Sequence, residues 1–197
     1  MEPAVVVAVF GRQVICEIDG ELLPSRVMGS LLRREGPLAA GDRVVLERSG
    51  DEGIVRQRQE RTSALRRAPR LPRRPPLVVA ANVDLVMVVL SIHQPAFSAG
   101  LVDRALVLAS VCGLEAVLCV NKWDLARADD DAALEPYEGI GLEVLCASAR
   151  TGAGIDALAR VLAGRSSVVV GHSGVGKSSL LERLVPGIDV RVQEVNQ

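Results

Sequence analysis

Residues 166–184 read SSVVVGHSGVGKSSLLERL, a β-branched run that breaks into glycines and resumes as a helical pattern. Within it Gly171, Gly176, Lys177 and Ser178 stand in the spacing G-x-x-x-x-G-K-S, the P-loop signature, in the strand–loop–helix setting that signature requires. Glycines at 171, 174 and 176 let the backbone wrap an anion without Cβ clashes, so that successive N–H groups and a helix N-terminus point at a phosphate. Lys177 then reaches the β/γ-phosphates and Ser178 ligates Mg²⁺. An ordinary glycine turn before a helix gives no reason for a lysine followed by a hydroxyl at that junction. Lysine is also scarce here: of 23 basic residues only Lys122 and Lys177 are not arginine, and both stand inside motifs. They mark places where a compact ammonium is needed rather than a guanidinium fork.

With 197 residues, 49% of them hydrophobic, the chain suits one to two packed domains. The N-terminal MEPAVVVAVFGRQ lacks the basic start and cleavage site of a signal peptide, and no apolar run reaches membrane-spanning length. The expectation is a soluble cytoplasmic monomer with no membrane partner. Cys16, Cys112, Cys119 and Cys146 are scattered without a C-x-x-C pair, which favours buried thiols over zinc ligands or disulfides. Charge is uneven. Residues 1–76 carry 14 arginines against 10 acids, whereas residues 77–197 carry 9 basic residues against 14 acids. That asymmetry suggests two modules, the first meeting a polyanion.

Short apolar runs at 4–10, 14–18, 22–27, 43–47 and 53–57, separated by turn residues, predict five strands closing into a small barrel of OB-fold or SH3-like type. The interruption at 29–40, GSLLRREGPLAA, reads as a short helix or a loop. Residues 56–76 hold eight arginines and prolines at 69, 72, 75 and 76, and read as a linker with solvated arginines. Arg56, Arg58, Arg61, Arg66 and Arg67 are the phosphate contacts this reading offers. The domain limits are 1–68 for the barrel, 69–77 for the linker and 78–197 for the second module. Beyond the linker the pattern becomes strand and helix in alternation: buried strands at 83–91, Glu115–Asn121, 142–147 and Ser167–Val170, and helices at 101–111, Ile155–Leu162 and 176–185. Alternation of this kind predicts a parallel α/β sheet with ligand at the carboxyl ends of the strands.

Asn121-Lys122-Trp123-Asp124 leaves the second of those strands as N-K-x-D. A carboxylate there can accept guanine's N1–H and exocyclic amine together, a donor pair that adenine lacks. Asn121 then meets the base edge or ties its loop to the P-loop, and the Lys122 stem lies over the base. Cys146-Ala147-Ser148-Ala149 closes the next strand, where Ser148 and Ala149 let backbone N–H groups approach a guanine carbonyl.

In ordinary GTPases the P-loop precedes N-K-x-D and S-A; here it comes after them, a circular permutation. A permuted GTPase domain behind an N-terminal β-barrel resembles the RsgA (YjeQ) family of ribosome small-subunit-dependent GTPases. Further matches are GDRV at 41–44, AANVDLVMVV at 80–89, LVDR at 101–104 and GHSGVGKSSLL at 171–181. The resemblance implies an OB-fold domain that docks on the 30S subunit and its 16S rRNA, a P-loop GTPase domain, and a role in late small-subunit maturation. It implies that Asn121, Lys122, Asp124, Ser148 and Ala149 hold guanine. Gly171, His172, Ser173, Gly174, Val175, Gly176, Lys177, Ser178 and Ser179 hold the phosphates of GTP or GDP, with Lys177 catalytic and Ser178 on Mg²⁺. The family's D-x-P-G motif and zinc-binding Cys/His domain do not occur in these 197 residues, so the GTPase domain is expected to be C-terminally incomplete and zinc is not carried over. Residues 189–197 are then expected to be poorly ordered. A non-catalytic nucleotide- or RNA-binding module is the competing reading; N-K-x-D argues against a P-loop ATPase or kinase.

Overall fold

Period-2 alternation builds the first half of the chain, for which the computed structural model describes residues 1–68 and 76–187 of the whole. β1 (Glu2–Phe10), β2 (Gln13–Ile18) and β3 (Glu21–Val27) are joined by two-residue turns. Asp19 and Gly20 take φ of 49° and 86°, the positive pair a tight hairpin turn needs. The register sets Val6 opposite Cys16 and Cys16 opposite Leu23, one inward row across three strands. β4 (Arg43–Ser49) pairs with β1, and β5 (Glu52–Arg58) pairs with β4 and, in parallel, with β3, so the order β1-β2-β3-β5-β4 closes on itself. The barrel interior is Val6, Val14, Cys16, Leu23, Val44, Leu46 and Val55 with Leu31 of α1 (Gly29–Glu35). The short-helix alternative for 29–40 is the one adopted.

Two expectations for residues 56–76 need correction. β6 (Ala64–Arg67) is a strand, paired antiparallel with β7 (Leu77–Ala81), and Ala64 and Leu65 are buried. The prolines at 69, 72 and 75 fall between the paired strands in sequence, so they did not forbid the pairing. Arg61 is not solvated. Its Nε and Nη2 donate to Oδ1 and Oδ2 of Asp42 at 2.7 and 2.8 Å, and Asp42, 0% exposed, also accepts the Ala39 N–H at 2.8 Å. Asp42→Ala leaves the half-buried Arg61 guanidinium only the Pro37 carbonyl, at 3.1 Å, and strands the Ala39 amide, and is expected to cost about 1–3 kcal/mol, read as a lowered denaturant midpoint with an unchanged slope. Residues 69–75, most of the linker expected at 69–77, lie outside the described residues, as do residues 189–197.

The motifs GDRV and AAN meet in this first compact unit, Met1–Val83. Gly41 has φ of 86°, and a Cβ there would lie 2.0 Å from the Ala81 carbonyl oxygen, so only glycine lets β7 approach. Asn82 donates from Nδ2 to the Gly41 carbonyl at 2.8 Å and accepts the Thr62 N–H on Oδ1 at 3.0 Å. Their role is packing.

The second unit, Asp84–Gln197, alternates strand and helix: β8 (Leu85–Ser91), α2 (Ala99–Val111), β9 (Glu115–Asn121), α3 (Glu135–Gly139), β10 (Glu143–Cys146), α4 (Ile155–Leu162), β11 (Ser167–Val170) and α5 (Lys177–Leu184). All strands are parallel in the order β10-β9-β8-β11. Every residue of β8 is buried, as its unbroken apolar run requires for a strand covered on both faces. Leu85, Met87, Val89, Val117, Leu158 and Leu180 pack one core across the sheet and helices. The LVDR match sits in α2, where Val102 is buried and Asp103 Oδ1 accepts the Tyr137 hydroxyl at 3.2 Å.

All four cysteines are free thiols, Cys16 and Cys119 buried, and burial pushes the Cys119 thiol up to about 12. Among the described residues no cluster of three His, Cys, Asp or Glu side chains could hold a metal, and no helix is long and apolar enough to cross a membrane.

Candidate nucleotide-binding site

Parallel register brings the three motifs to one edge. Ser91 is level with Asn121, Val120 with Cys146, and Val88 with Val170, so the segments after β9, β10 and β11 all emerge at the carboxyl ends of the strands.

The loop after β11 is shaped by its glycines. A Cβ on Gly171 would stand 2.2 Å from the Val89 carbonyl oxygen of β8. Gly174 and Gly176 have φ of 80° and 91°, and a Cβ on Gly176 would stand 2.3 Å from Asn121 Nδ2. Val175 is 1% exposed and packs into the sheet core, so only its backbone faces the loop interior. His172 and Ser178 are half-buried; Ser173 and Ser179 are exposed. Among the described residues the amides of Ser173, Gly174, Val175 and Gly176 donate to no protein acceptor, leaving a row of unsatisfied donors ahead of α5. Lys177 Nζ turns back over the loop to the carbonyls of Gly171 and His172 at 2.9 and 2.6 Å. Burial lowers its pKa below the ordinary lysine value of 10.5.

Asn121 resolves the choice left by its sequence. Its Nδ2 donates to the Val175 carbonyl at 2.8 Å and its Oδ1 accepts the Ala149 N–H at 3.1 Å, so one buried side chain ties the P-loop to the loop after β10. Lys122, with φ of 60°, sends Nζ to the Gly174 carbonyl at 2.8 Å and the Gln94 carbonyl at 2.5 Å, bracing the same P-loop. Asp124 lies in a single 3₁₀ turn, Trp123–Leu125. Its Oδ1 accepts the Ser148 hydroxyl, and its Oδ2 accepts Arg150 Nε and Nη2 at 2.8 and 2.5 Å. The Ser148 hydroxyl, and after it Arg150, hold the Asp124 carboxyl below the usual carboxylate range.

Ser148 has a second duty. Its N–H donates to the Ala153 carbonyl at 2.9 Å and its hydroxyl accepts the Thr151 N–H at 3.2 Å, closing a tight loop in which Ala149 sits. All the motif residues therefore meet at this edge. Sequence reasoning missed two arginines. Arg150 was readable as the residue next after S-A. Arg183, which reaches the carbonyls of Ala149 and Arg150 from α5 at 2.9 and 3.2 Å, carries no sequence signal.

Several known proteins are similar to this chain over most of its length. The small ribosomal subunit biogenesis GTPase RsgA of Azotobacter vinelandii (strain DJ) is 41% identical over 200 residues, covering 98% of this chain and 57% of the relative. The protein of the same name from Moorella thermoacetica is 37% identical over 188 residues, covering 95% of this chain and 61% of the relative. The chain thus spans somewhat under two thirds of the length of these relatives. Among solved structures, YjeQ from Thermotoga maritima superposes with a TM-score of 0.76 at 33% identity, over 96% of this chain and 67% of that one. YloQ, a circularly permuted GTPase, superposes with a TM-score of 0.65 at 29% identity, over 93% of this chain and 63% of that one. The profile of the RsgA GTPase family matches residues 58–197, from the last residue of β5 through the whole α/β unit. With a closed barrel ahead of a parallel sheet whose P-loop comes after its N-K-x-D and S-A loops, the chain belongs to the RsgA GTPase family.

Proposed function

We propose that this chain binds GTP and GDP at the carboxyl edge of its sheet and is the nucleotide-binding part of a cytoplasmic GTPase that acts, as a monomer, in maturation of the 30S ribosomal subunit. The observation that carries the reading is Asn121, whose buried amide joins the P-loop to the base-side loop. The two ends of one nucleotide are thereby given a fixed separation. Asp124 takes guanine's N1–H and amine, Ser148 holds that carboxylate, the loop of Ala149 faces the base carbonyl, and the Lys122 stem covers the base. The amides of residues 172–178 and the Lys177 ammonium take the phosphates. Lys177 also balances charge that builds on the phosphoryl oxygens during transfer, which is why it is assigned the catalytic role.

Mg²⁺ fits this site on the chemistry of its donors. Ser178 offers one hydroxyl beside an amide-lined phosphate cradle, and Mg²⁺ takes few protein ligands and fills the remainder with phosphate oxygens and water. When bound it neutralises charge between β- and γ-phosphates. Zinc is not proposed for these residues. Parallel titrations of GDP and ADP with Mg²⁺ test the reading; equal affinities sink it.

The barrel is proposed to meet 16S rRNA through phosphates rather than bases, because Phe10 is its one aromatic residue. Of the five arginines between 56 and 67, Arg56 pairs with Glu47 at 2.6 Å and Arg61 with Asp42, and Arg66 is engaged as well. Arg12 and Arg33 are the better pair. A Cβ built on Gly29 would stand 3.7 Å from Arg33 Nη1 and 3.9 Å from Arg12 Nη2, so two exposed guanidiniums lie beside the start of α1. Replacing both with alanine is expected to lower the slope of log affinity against log salt by about 2, read by RNA filter binding. An unchanged slope removes these arginines from the interface.

A further inference from the structure

We propose that Arg183 is a positioning residue for guanine recognition: through it the helix that carries the phosphate cradle sets the tilt of the loop that reads the base. The inference rests on the guanine reading above. Arg183 lies in the last turn of α5, the helix that opens at Lys177, and its side chain leaves that helix for the loop after β10. Nε donates to the Ala149 carbonyl at 2.9 Å and Nη2 to the Arg150 carbonyl at 3.2 Å. One rigid guanidinium thus grips two consecutive peptide units.

A trans peptide unit is planar, with its C=O and the next N–H pointing in opposite directions. Pulling the Ala149 carbonyl toward α5 turns the Arg150 N–H away from α5. Pulling the Arg150 carbonyl likewise turns the Thr151 N–H away. The Thr151 N–H is the one that donates to the Ser148 hydroxyl at 3.2 Å, and that hydroxyl donates in turn to Asp124 Oδ1. The Ala149 N–H is already committed to Asn121 Oδ1. That leaves the Arg150 N–H, which donates to no other described residue and is aimed by the Arg183 grip. Arg183 therefore governs the amide that meets the guanine carbonyl, and touches the Asp124 carboxylate only at a remove, by way of Thr151 and Ser148. The carbonyl-reading amide depends on it most, because Ser148 has a second anchor in its own N–H to Ala153.

The test compares three nucleoside diphosphates on the full chain with Mg²⁺: GDP, IDP, which keeps the 6-carbonyl and N1–H but lacks the amine, and 2-aminopurine riboside diphosphate, which keeps the amine but lacks the carbonyl and with it the N1–H. Arg183→Ala is expected to weaken GDP and IDP by about tenfold, the upper worth of one amide–carbonyl hydrogen bond, and to leave the 2-aminopurine nucleotide within about twofold. Arg183→Lys should fall between, since one ammonium cannot span both carbonyls. Arg183 is exposed, so unfolding of the unliganded variant should match wild type and any loss is a loss of positioning. A uniform loss across all three ligands, or an unchanged ratio of GDP to 2-aminopurine nucleotide, overturns the proposal. If wild type prefers GDP over ADP but not over the 2-aminopurine nucleotide, the proposal falls and the guanine reading stands; if it shows neither preference, both fall.

Discussion

GDP is expected to bind more than about a hundredfold more tightly than ADP, and Asp124→Asn is expected to reverse the preference between guanine and xanthine nucleotides. The first effect comes from the donors adenine lacks. Guanine brings two N–H donors to the Asp124 carboxylate, whereas adenine turns the lone pair of its N1 toward it and brings no such donor pair, a mismatch that costs several kcal/mol. The second comes from the donor asparagine adds: its NH₂ faces the xanthine 2-carbonyl and repels the guanine amine. Arg150 competes for the same carboxylate, with both of its bonds on Oδ2. Its side chain is 72% exposed, and an ion pair that open adds little, so guanine can displace it. The Asp124 carboxyl titrates below the ordinary carboxylate range, so it stays ionised at neutral and mildly acidic pH. Guanine preference should therefore hold as pH falls and be lost only when Asp124 takes a proton. Competition titrations with GDP, ADP and XDP on both proteins check this; an Asp124→Asn variant that still prefers GDP to XDP removes Asp124 from base recognition.

The features legible in the sequence were those written locally. Two-residue turns with glycine, period-2 alternation and the unbroken run of β8 each reflect contacts within a few residues, and these elements fall within one to three residues of where the pattern placed them. The P-loop, N-K-x-D and S-A were legible because each is a short string whose residue types answer one chemical need. The Arg61–Asp42 pair joins residues 19 apart, and Arg183 meets a loop 33 and 34 residues earlier. Arginine at either position is compatible with a solvated surface, and only three-dimensional placement distinguishes the cases. The β6–β7 hairpin was hidden differently. Four prolines between and beside two short strands read as a reason against structure, whereas they only spare the residues that pair. Asn121 stands between these cases: its motif was visible, but which of its two roles it takes depended on the Val175 carbonyl lying within reach.

Lys177→Ala is expected to weaken GTP binding a hundredfold or more and GDP binding by less, with little change in stability. Each charge-assisted hydrogen bond from the ammonium to a phosphate oxygen is worth about 1.5–3 kcal/mol, and GTP offers both β- and γ-oxygens. The side chain is already folded over the loop by the Gly171 and His172 carbonyls, so little ordering remains to be done when a phosphate arrives. Lys177→Arg should not rescue it. A planar fork does not fit between two carbonyls and a phosphate as a compact ammonium does, and this arginine-rich chain keeps lysine at the position. Burial lowers the Lys177 pKa, which disfavours the charged form; phosphate affinity should therefore begin to fall, as pH rises, below the ordinary lysine value of 10.5. Gly176→Ala attacks the same cradle from the other side. Its Cβ would meet Asn121 Nδ2 at 2.3 Å, so the clash falls on the amide that ties the P-loop to the base-side loop, and both base and phosphate binding should fail together. Calorimetry with GDP and GTP separates the two mechanisms: Lys177→Ala loses more affinity for GTP than for GDP, Gly176→Ala loses both alike. Retention of near-normal GTP affinity by Lys177→Ala would show that the amides of the loop hold the phosphates without it.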